Sequence, residues 1–408
     1  MATVLKIAWR SIWRNRRRTL ISMSAVGIGL TLVIFYAGLI AGILGDAKEQ
    51  LDNIGMGHVE ISAAGWRAHR GAADSIDRPA AFVATLDLPP LSEIGWRVIA
   101  RGLASSARGS EGVELQGVDW EHEAQLSAIV REIASGTRPA QTDEGGILIG
   151  EKLADRLKVK VGSKVRVMAQ RADGEIGAEL YRVRGIFHSL SPTISDHRVL
   201  VGEASARRLL GIGEVSHQIV IQLDRAADAD RVAERLRAKL GPRYEVLSYG
   251  ELLPMLRNIE RLSDFILWIA AVFIYGLVGL GILNTMLMSV LERTREFGVL
   301  RAIGTRPGRV VAQVLGESFW IATLSGAAGL LAGLALTWYG SRHPLMTIGG
   351  GEALEYAGTV LRSGVKTRFS FGAAFTAAGL VYVMALVTAL YPAWKVARLP
   401  PARALHSS

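Results

Sequence analysis

Glu292-Arg-Thr-Arg-Glu-Phe-Gly-Val-Leu-Arg-Ala-Ile-Gly304 is a charged segment with a helical pattern, held between two long apolar runs, Phe265 to Leu291 and Ser318 to Trp338. The first run has 27 residues and the second 21, and neither contains a charged side chain. A helix rises about 1.5 Å per residue, so about 20 apolar residues cross a hydrocarbon core. Both runs reach that length. The charged segment is then a short connection at one membrane face.

Two further uncharged runs, Thr19 to Gly45 and Phe369 to Trp394, complete four expected spans. Unpaired backbone amides are too costly in hydrocarbon for irregular structure, so each run is expected to be helical. The first run is longer than the apolar core of about 7 to 15 residues in a cleavable signal peptide, and it reads as a retained anchor. The expected fold is an α-helical integral membrane protein with four transmembrane helices and a large α+β extracytoplasmic domain. Its divisions are a cytoplasmic amphipathic helix at 1–18, spans at 19–45, 265–291, 318–341 and 369–394, an extracytoplasmic domain at 46–264, a cytoplasmic loop at 292–317, an extracytoplasmic loop at 342–368 and a cytoplasmic tail at 395–408.

Orientation follows from arginine and lysine in short flanks, which stay on the cytoplasmic side. Lys6, Arg10, Arg14, Arg16, Arg17 and Arg18 precede the first span without any acidic residue. Arg293, Arg295, Arg301, Arg306 and Arg309 follow the second span, and Lys395, Arg398 and Arg403 follow the fourth. The net charge of +10 does not point to nucleic acid, because residues 46–264 hold 29 basic against 32 acidic residues and the excess sits at the membrane edges. Anionic lipid headgroups account for that distribution. The absence of cysteine fits an exported domain of 219 residues, which is long enough to bury a core without disulfides.

Within that domain, Gly57 to Ser62, Trp96 to Arg101, His217 to Leu223 and Tyr244 to Ser248 read as strands, with helices at Ala80 to Leu86 and Ala227 to Leu240. Between these halves lie four more strand patterns, Val113 to Gly117, Gly146 to Ile149, Lys164 to Met168 and Leu180 to Ile186. They predict an α/β layer built from both ends of the segment and a mostly β module inserted at about 111–213.

In the loop segment, Glu292 and Arg295 are spaced to pair along a helix, which leaves Arg293, Glu296 and Arg301 for the charges of a partner. Gly298 and Gly304 allow close backbone approach or a helix end, and Pro307 stops continuation. A loop that only sets topology needs arginine alone; the ordered mixture of acids, glycines and apolar positions here favours a docking helix. At the N-terminus, Leu5, Ala8, Trp9, Ile12 and Trp13 share one helical face, as suits a helix in the headgroup layer. Gly38 and Gly42, and Gly329 and Gly333, have the spacing of helix contacts in membranes. No Gly-x4-Gly-Lys-Ser/Thr occurs, so these residues hold no phosphate-binding loop, and the eight histidines are too scattered for a metal site. No cofactor is expected.

Asn15-Arg-Arg-Arg-Thr19, the segment Glu292-Arg-x-Arg-Glu-x-Gly-x-Leu-Arg-Ala-x-Gly304, and the closing Tyr391-Pro-Ala-Trp-Lys-Val-Ala-Arg398 and Pro401-Ala-Arg-Ala-Leu405 carry a resemblance. With them the chain resembles, over essentially its whole length, the permease subunits of the FtsX-like ATP-binding-cassette superfamily, with Lol-type lipoprotein-releasing permeases and MacB-type exporters as branches. The resemblance implies an FtsX-like permease domain at 265–400 and an exported domain made of a porter-like α/β part with an inserted β-rich part. It also implies that Glu292, Arg293, Arg295, Glu296, Gly298, Leu300, Arg301, Ala302 and Gly304 couple the chain to a cytoplasmic ATPase. Further expected partners are a second permease subunit, as homo- or heterodimer, membrane lipid, and a lipoprotein or periplasmic protein. The expected activity is mechanotransmission in the inner membrane, with lipoprotein release the preferred process. Export of a hydrophobic compound or peptide is the alternative, and FtsX-type signalling to an extracytoplasmic hydrolase a third. MacB-type exporters fuse their ATPase to the permease; here it is expected on a separate protein.

Overall fold

The computed structural model describes residues 2–14, 16–90, 92–189, 192–347, 354–356, 359–361 and 364–398. The closing motif at Pro401 to Leu405, and Asn15 of the N-terminal motif, lie outside them. The chain forms two compact units, one drawn from 1–45, 260–347 and the stretch from 364 onward, the other mainly from 46–259.

The first unit holds the apolar stretches of the four long helices, Arg16–Asn53, Pro254–Glu292, Pro307–Arg342 and Phe371–Ala397. All four are long and apolar enough to cross a membrane. Much of their surface is exposed in the protein alone, with Trp268, Phe273, Leu277 and Leu331 all outward, as hydrocarbon-facing side chains should be. Where helices meet, small residues let the backbones close up. A Cβ on Gly329 would stand 2.7 Å from the Gly27 carbonyl oxygen, and one on Gly333 would stand 2.9 Å from Ile34 Cβ. The Thr31 hydroxyl donates across the same contact to the Gly329 carbonyl at 3.1 Å. Glycine spacing therefore marks a true helix contact between Arg16–Asn53 and Pro307–Arg342.

Two of these helices outrun the apolar stretch read from the sequence. Arg16–Asn53 has 38 residues and Pro254–Glu292 has 39. At 1.5 Å per residue each is about 57 Å long, roughly twice a hydrocarbon core. The extra turns are polar, and helix-favouring residues such as Lys48, Glu49, Arg257 and Glu260 carry them onward.

The second unit is built on one ten-stranded sheet. Its strands are β1 (Val59–Ala63), β2 (Glu93–Ser105), β3 (Ser110–Val118), β4 (Ile133–Gly136), β5 (Gly146–Gly150), β6 (Lys164–Gln170), β7 (Ile176–Phe187), β8 (Arg198–Gly202), β9 (Gln218–Gln222) and β10 (Tyr244–Ser248). The order is β10-β1-β9-β2-β3-β8-β5-β7-β4, with β6 bridging β2 and β7. Only β3 with β8 and β5 with β7 pair in parallel. Val59, Ile61, Ile219, Ile221 and Val246 pack beneath the helix Ala229–Leu240, which turns Val232, Ala233 and Leu236 to them. Strands β5 and β8 are buried on both faces: Ile147, Ile149, Val199 and Val201 enter one core, and Leu148 and Leu200 another with Trp120 and Phe187.

The inserted module is β-rich, and the short helices Glu151–Leu157 and Glu203–Leu210 also bury Leu153, Leu157, Leu209 and Leu210 in its core. Seven or eight residues make only two turns, too few for helical periodicity to stand out. The module is not separate, because it has no sheet of its own. Strand β2 pairs with β9 through Glu93 to Arg97 and with β6 through Gly102 to Ser105, so one long strand runs through both parts.

Candidate functional site

The segment 292–304 folds as the end of one helix, a break, and a second helix. Glu292 is the last residue of Pro254–Glu292, and Thr294–Ala302 follows. Gly304 ends it with φ of 90°, a left-handed geometry natural to glycine after a helix. Arg306 is the N-cap of Pro307–Arg342, whose first residue is proline.

Arg293 sits in the break and is buried. Its Nη1 donates to Glu317 Oε1 at 2.6 Å and to Ser11 Oγ at 2.6 Å, while its Nε donates to Glu296 Oε2 at 3.0 Å. The guanidinium also stands 5.0 Å over the ring of buried Phe297. Glu296 accepts in addition from Arg14 Nη1 at 2.7 Å, and Glu292 accepts from Arg18 Nη1 at 3.0 Å. Burial by itself would lower the Arg293 pKa, but Glu317 and Glu296 outweigh it and hold the guanidinium above its ordinary value. Burial would likewise raise Glu296, yet hydrogen bonds from Arg14 and Arg293 hold its carboxyl below the usual range.

The N-terminal helix Ala2–Ile12 completes the assembly. Ala8 is fully buried, 3.2 Å from where a Cβ on Gly316 would lie, and Trp9 packs edge-on against Trp320 at 4.9 Å between ring centroids. Its apolar face is thus spent partly on the helix Pro307–Arg342 and not on headgroups alone.

This arrangement corrects the expected division of charges. Arg293 and Glu296 are bound within the chain and are not free for a partner, and Glu292 turns to Arg18 across the N-terminal junction. The reason is tertiary: Arg14, Arg18 and Glu317, remote in sequence, supply closer counter-charges than the neighbours along the helix. Gly298 is buried and Leu300 packs against the helix core, so these two also face inward. The Arg301 side chain lies outside the described residues. Arg295, Ala302 and Gly304 are exposed. Beside them stand Val299, 44% exposed, and Ile303, 75% exposed. Spacing of 295, 299, 302 and 303 places these four on one helical face. Neither Val299 nor Ile303 was singled out from sequence; the signal was available as an apolar residue on the helix face opposite Phe297. Among the described residues no group of three His, Cys, Asp or Glu side chains could hold a metal ion.

Four membrane-length helices and a large α/β domain define a membrane protein with an extracytoplasmic domain. The MacB-like periplasmic core domain family matches residues 19–239, and the FtsX-like permease C-terminal family matches 268–401. The chain belongs to the MacB-like, FtsX-type permease family. It is 25% identical over 423 residues to the pyoverdine export ATP-binding/permease protein PvdT of Pseudomonas syringae pv. tomato, covering 99% of this chain and 59% of that protein. It is 27% identical to the macrolide export ATP-binding/permease protein MacB of Chlorobium luteolum, over 98% of this chain and 59% of that protein. A third relative, the lipoprotein-releasing system transmembrane protein LolC of Xylella fastidiosa, is 22% identical over 96% of this chain and 95% of that protein. The chain spans about three-fifths of the length of the relatives named for export of pyoverdine and macrolides.

Proposed function

We propose that the chain is the membrane part of an ATP-driven transporter that works by mechanotransmission, with the Thr294–Ala302 helix as its coupling element. The observation that carries this reading is the Arg293 knot. It bolts the short helix to the N-terminal helix and to Pro307–Arg342, so a push on the exposed stripe at Arg295, Val299 and Ile303 moves several helices together. Two of the long helices continue without a break past the apolar stretch, and a continuous helix transmits displacement with little loss. The ATPase lies outside these 408 residues, since they hold no phosphate-binding loop. The residues proposed for docking are therefore Arg295, Val299, Ala302 and Ile303, with Gly298, Leu300 and Gly304 shaping the helix that presents them.

In this reading the transporter sits in the inner membrane with a second permease subunit, and the extracytoplasmic unit changes its grip on cargo outside the bilayer. Release of lipoproteins is the preferred process, supported by the resemblance to LolC over nearly the whole of both chains. The names of PvdT and MacB favour export of a small amphipathic compound as the second reading. Reconstituting the native complex in nanodiscs tests both, with hydrolysis measured against added triacylated lipoprotein and against a macrolide. Stimulation by neither cargo, or hydrolysis insensitive to Arg295→Glu and Ile303→Asp, sinks the coupling proposal.

A further inference from the structure

One face of the extracytoplasmic sheet is polar across five adjacent strands. Gln218 on β9 lies opposite Arg97 on β2, Ile99 on β2 opposite Gln116 on β3, and Glu114 on β3 opposite Arg198 on β8. Directly opposed residues share a face. Glu60 on β1 adds to the row, and it is 4% exposed. Arg67 and Arg70, from the short helix Trp66–His69 and its C-cap, help enclose a cavity of about 150 Å³ with these side chains. A polar cavity of that size holds a benzene-sized group or about five waters at ~30 Å³ each.

Among the described residues, the ion pairs at this cavity leave one guanidinium over. Arg67 donates to Glu60 at 2.7 Å, Arg97 to buried Glu123 at 2.6 Å, and Arg198 reaches Glu114 only at 3.4 Å. Arg70 stacks over Trp66 at 4.4 Å and has no ion pair among the described residues. Four guanidinium groups thus meet three carboxylates. Two buried atoms in the lining also lack hydrogen-bond partners among the described residues, Arg198 Nε and Gln116 Oε1. Glu114 can only accept, so it fixes the Gln116 amide with Nε2 donating at 3.0 Å and leaves Oε1 as an unused acceptor. Burial pushes the Arg198 guanidinium below its ordinary range, with Glu114 opposing and Arg97 adding to the push.

We propose that this cavity binds a carboxylate carrying an adjacent N–H donor, as at the C-terminus of a peptide or in an N-acyl amino acid. The single surplus positive charge calls for one negative charge. Arg198 Nε and the Arg70 guanidinium supply the N–H donors that a carboxylate accepts, and Gln116 Oε1 takes the neighbouring N–H. The site does not depend on the coupling reading, because every residue in it belongs to the extracytoplasmic unit and binding needs no nucleotide.

The test is isothermal titration of the full chain in nanodiscs at constant ionic strength, with N-acetylglycine as the probe and neutral N-acetylglycinamide as the control. Saturable binding of N-acetylglycine alone is expected, weakened about tenfold or more by Arg198→Gln and by Arg70→Gln. Arg70 makes no ion pair among the described residues, so its variant keeps the test valid if loss of the Arg198–Glu114 pair disturbs folding. Three outcomes overturn the proposal: no saturable binding, which leaves a cavity for water; equal binding by wild type and the Arg70→Gln variant; or inorganic phosphate binding more tightly than the carboxylate.

Discussion

Arg293 and Glu317 meet at 2.6 Å with both side chains nearly withdrawn from solvent, joining the break after one long helix to the interior of another. Removing one partner of a buried pair strands the other charge, which costs about 3 to 5 kcal/mol, whereas replacing both with apolar residues can be neutral. Glu296 remains beside Arg293 and places the expected loss for Glu317→Leu at the lower end of that range. The double variant Arg293→Met with Glu317→Leu should recover most of it. Thermal unfolding in detergent checks this, and equal stability of wild type and Glu317→Leu would remove the pair from the account of how the segment is held.

The docking face makes a separate prediction. Arg295→Glu and Ile303→Asp alter exposed positions, so stability should stay within about 0.5 kcal/mol of wild type. Cargo-stimulated hydrolysis by the assembled complex should fall about tenfold or more, as expected when a desolvated contact at an interface is lost. Glu296→Arg is a poor probe of docking, because it sets a second positive charge against both Arg14 and Arg293 and loosens the knot itself.

Glycines on the long helices should divide sharply by position. A methyl group at Gly329 meets the Gly27 carbonyl oxygen at 2.7 Å, so Gly329→Ala must separate two helices, at a cost of about 1 to 3 kcal/mol. Among the described residues nothing beyond its own helix backbone lies within 4 Å of a Cβ at Gly276, and Gly276→Ala should leave folding unchanged. Tryptophan fluorescence melts of the purified variants distinguish them. If Gly276→Ala folds normally but fails to assemble, that face is a contact surface for a partner in the membrane, as the proposed pairing with a second permease subunit requires.

Stability of the extracytoplasmic unit should carry the signature of His217. Its Nδ1 accepts from the Ile99 backbone N–H at 2.9 Å, and its Nε2 faces the Ala72 carbonyl at 3.1 Å, which is the geometry of a neutral ring donating through Nε2. Burial lowers its pKa, while Ala72 and Asp74 oppose and Arg70 assists. A depressed folded pKa means that the unfolded chain binds the proton first, so stability should be full above about pH 6.5 and fall as pH drops below it. In melts of the full chain between pH 7.5 and 5.5, His217→Gln should show a shallower fall than wild type. An unchanged slope would assign the pH dependence to other groups.

Much of this protein was legible in the amino-acid order. Apolar runs free of charge from Thr19, Phe265, Ser318 and Phe369 mark four membrane-length helices, because hydrocarbon tolerates only long uncharged segments with internal hydrogen bonds. The motif at Glu292 to Gly304, with its companions, was enough to place the family. Alternation along β6 and β7 was equally plain, since one face of each strand is buried. Tertiary structure alone decided who pairs with whom. Arg293 reads from sequence as a loop charge, yet Glu317 lies 24 residues away and Ser11 lies 282 away, and no local rule brings them to one point. The same holds for the row at Gln218, Arg97, Gln116, Glu114 and Arg198: strand order set those residues on one face, and the helix at Trp66–His69, with Ile54, Met56 and Leu252, turned a polar sheet surface into a partly open cavity. Hydrophobic periodicity is a property of neighbours along the chain, whereas charge pairing and enclosure depend on distances the chain acquires when it folds.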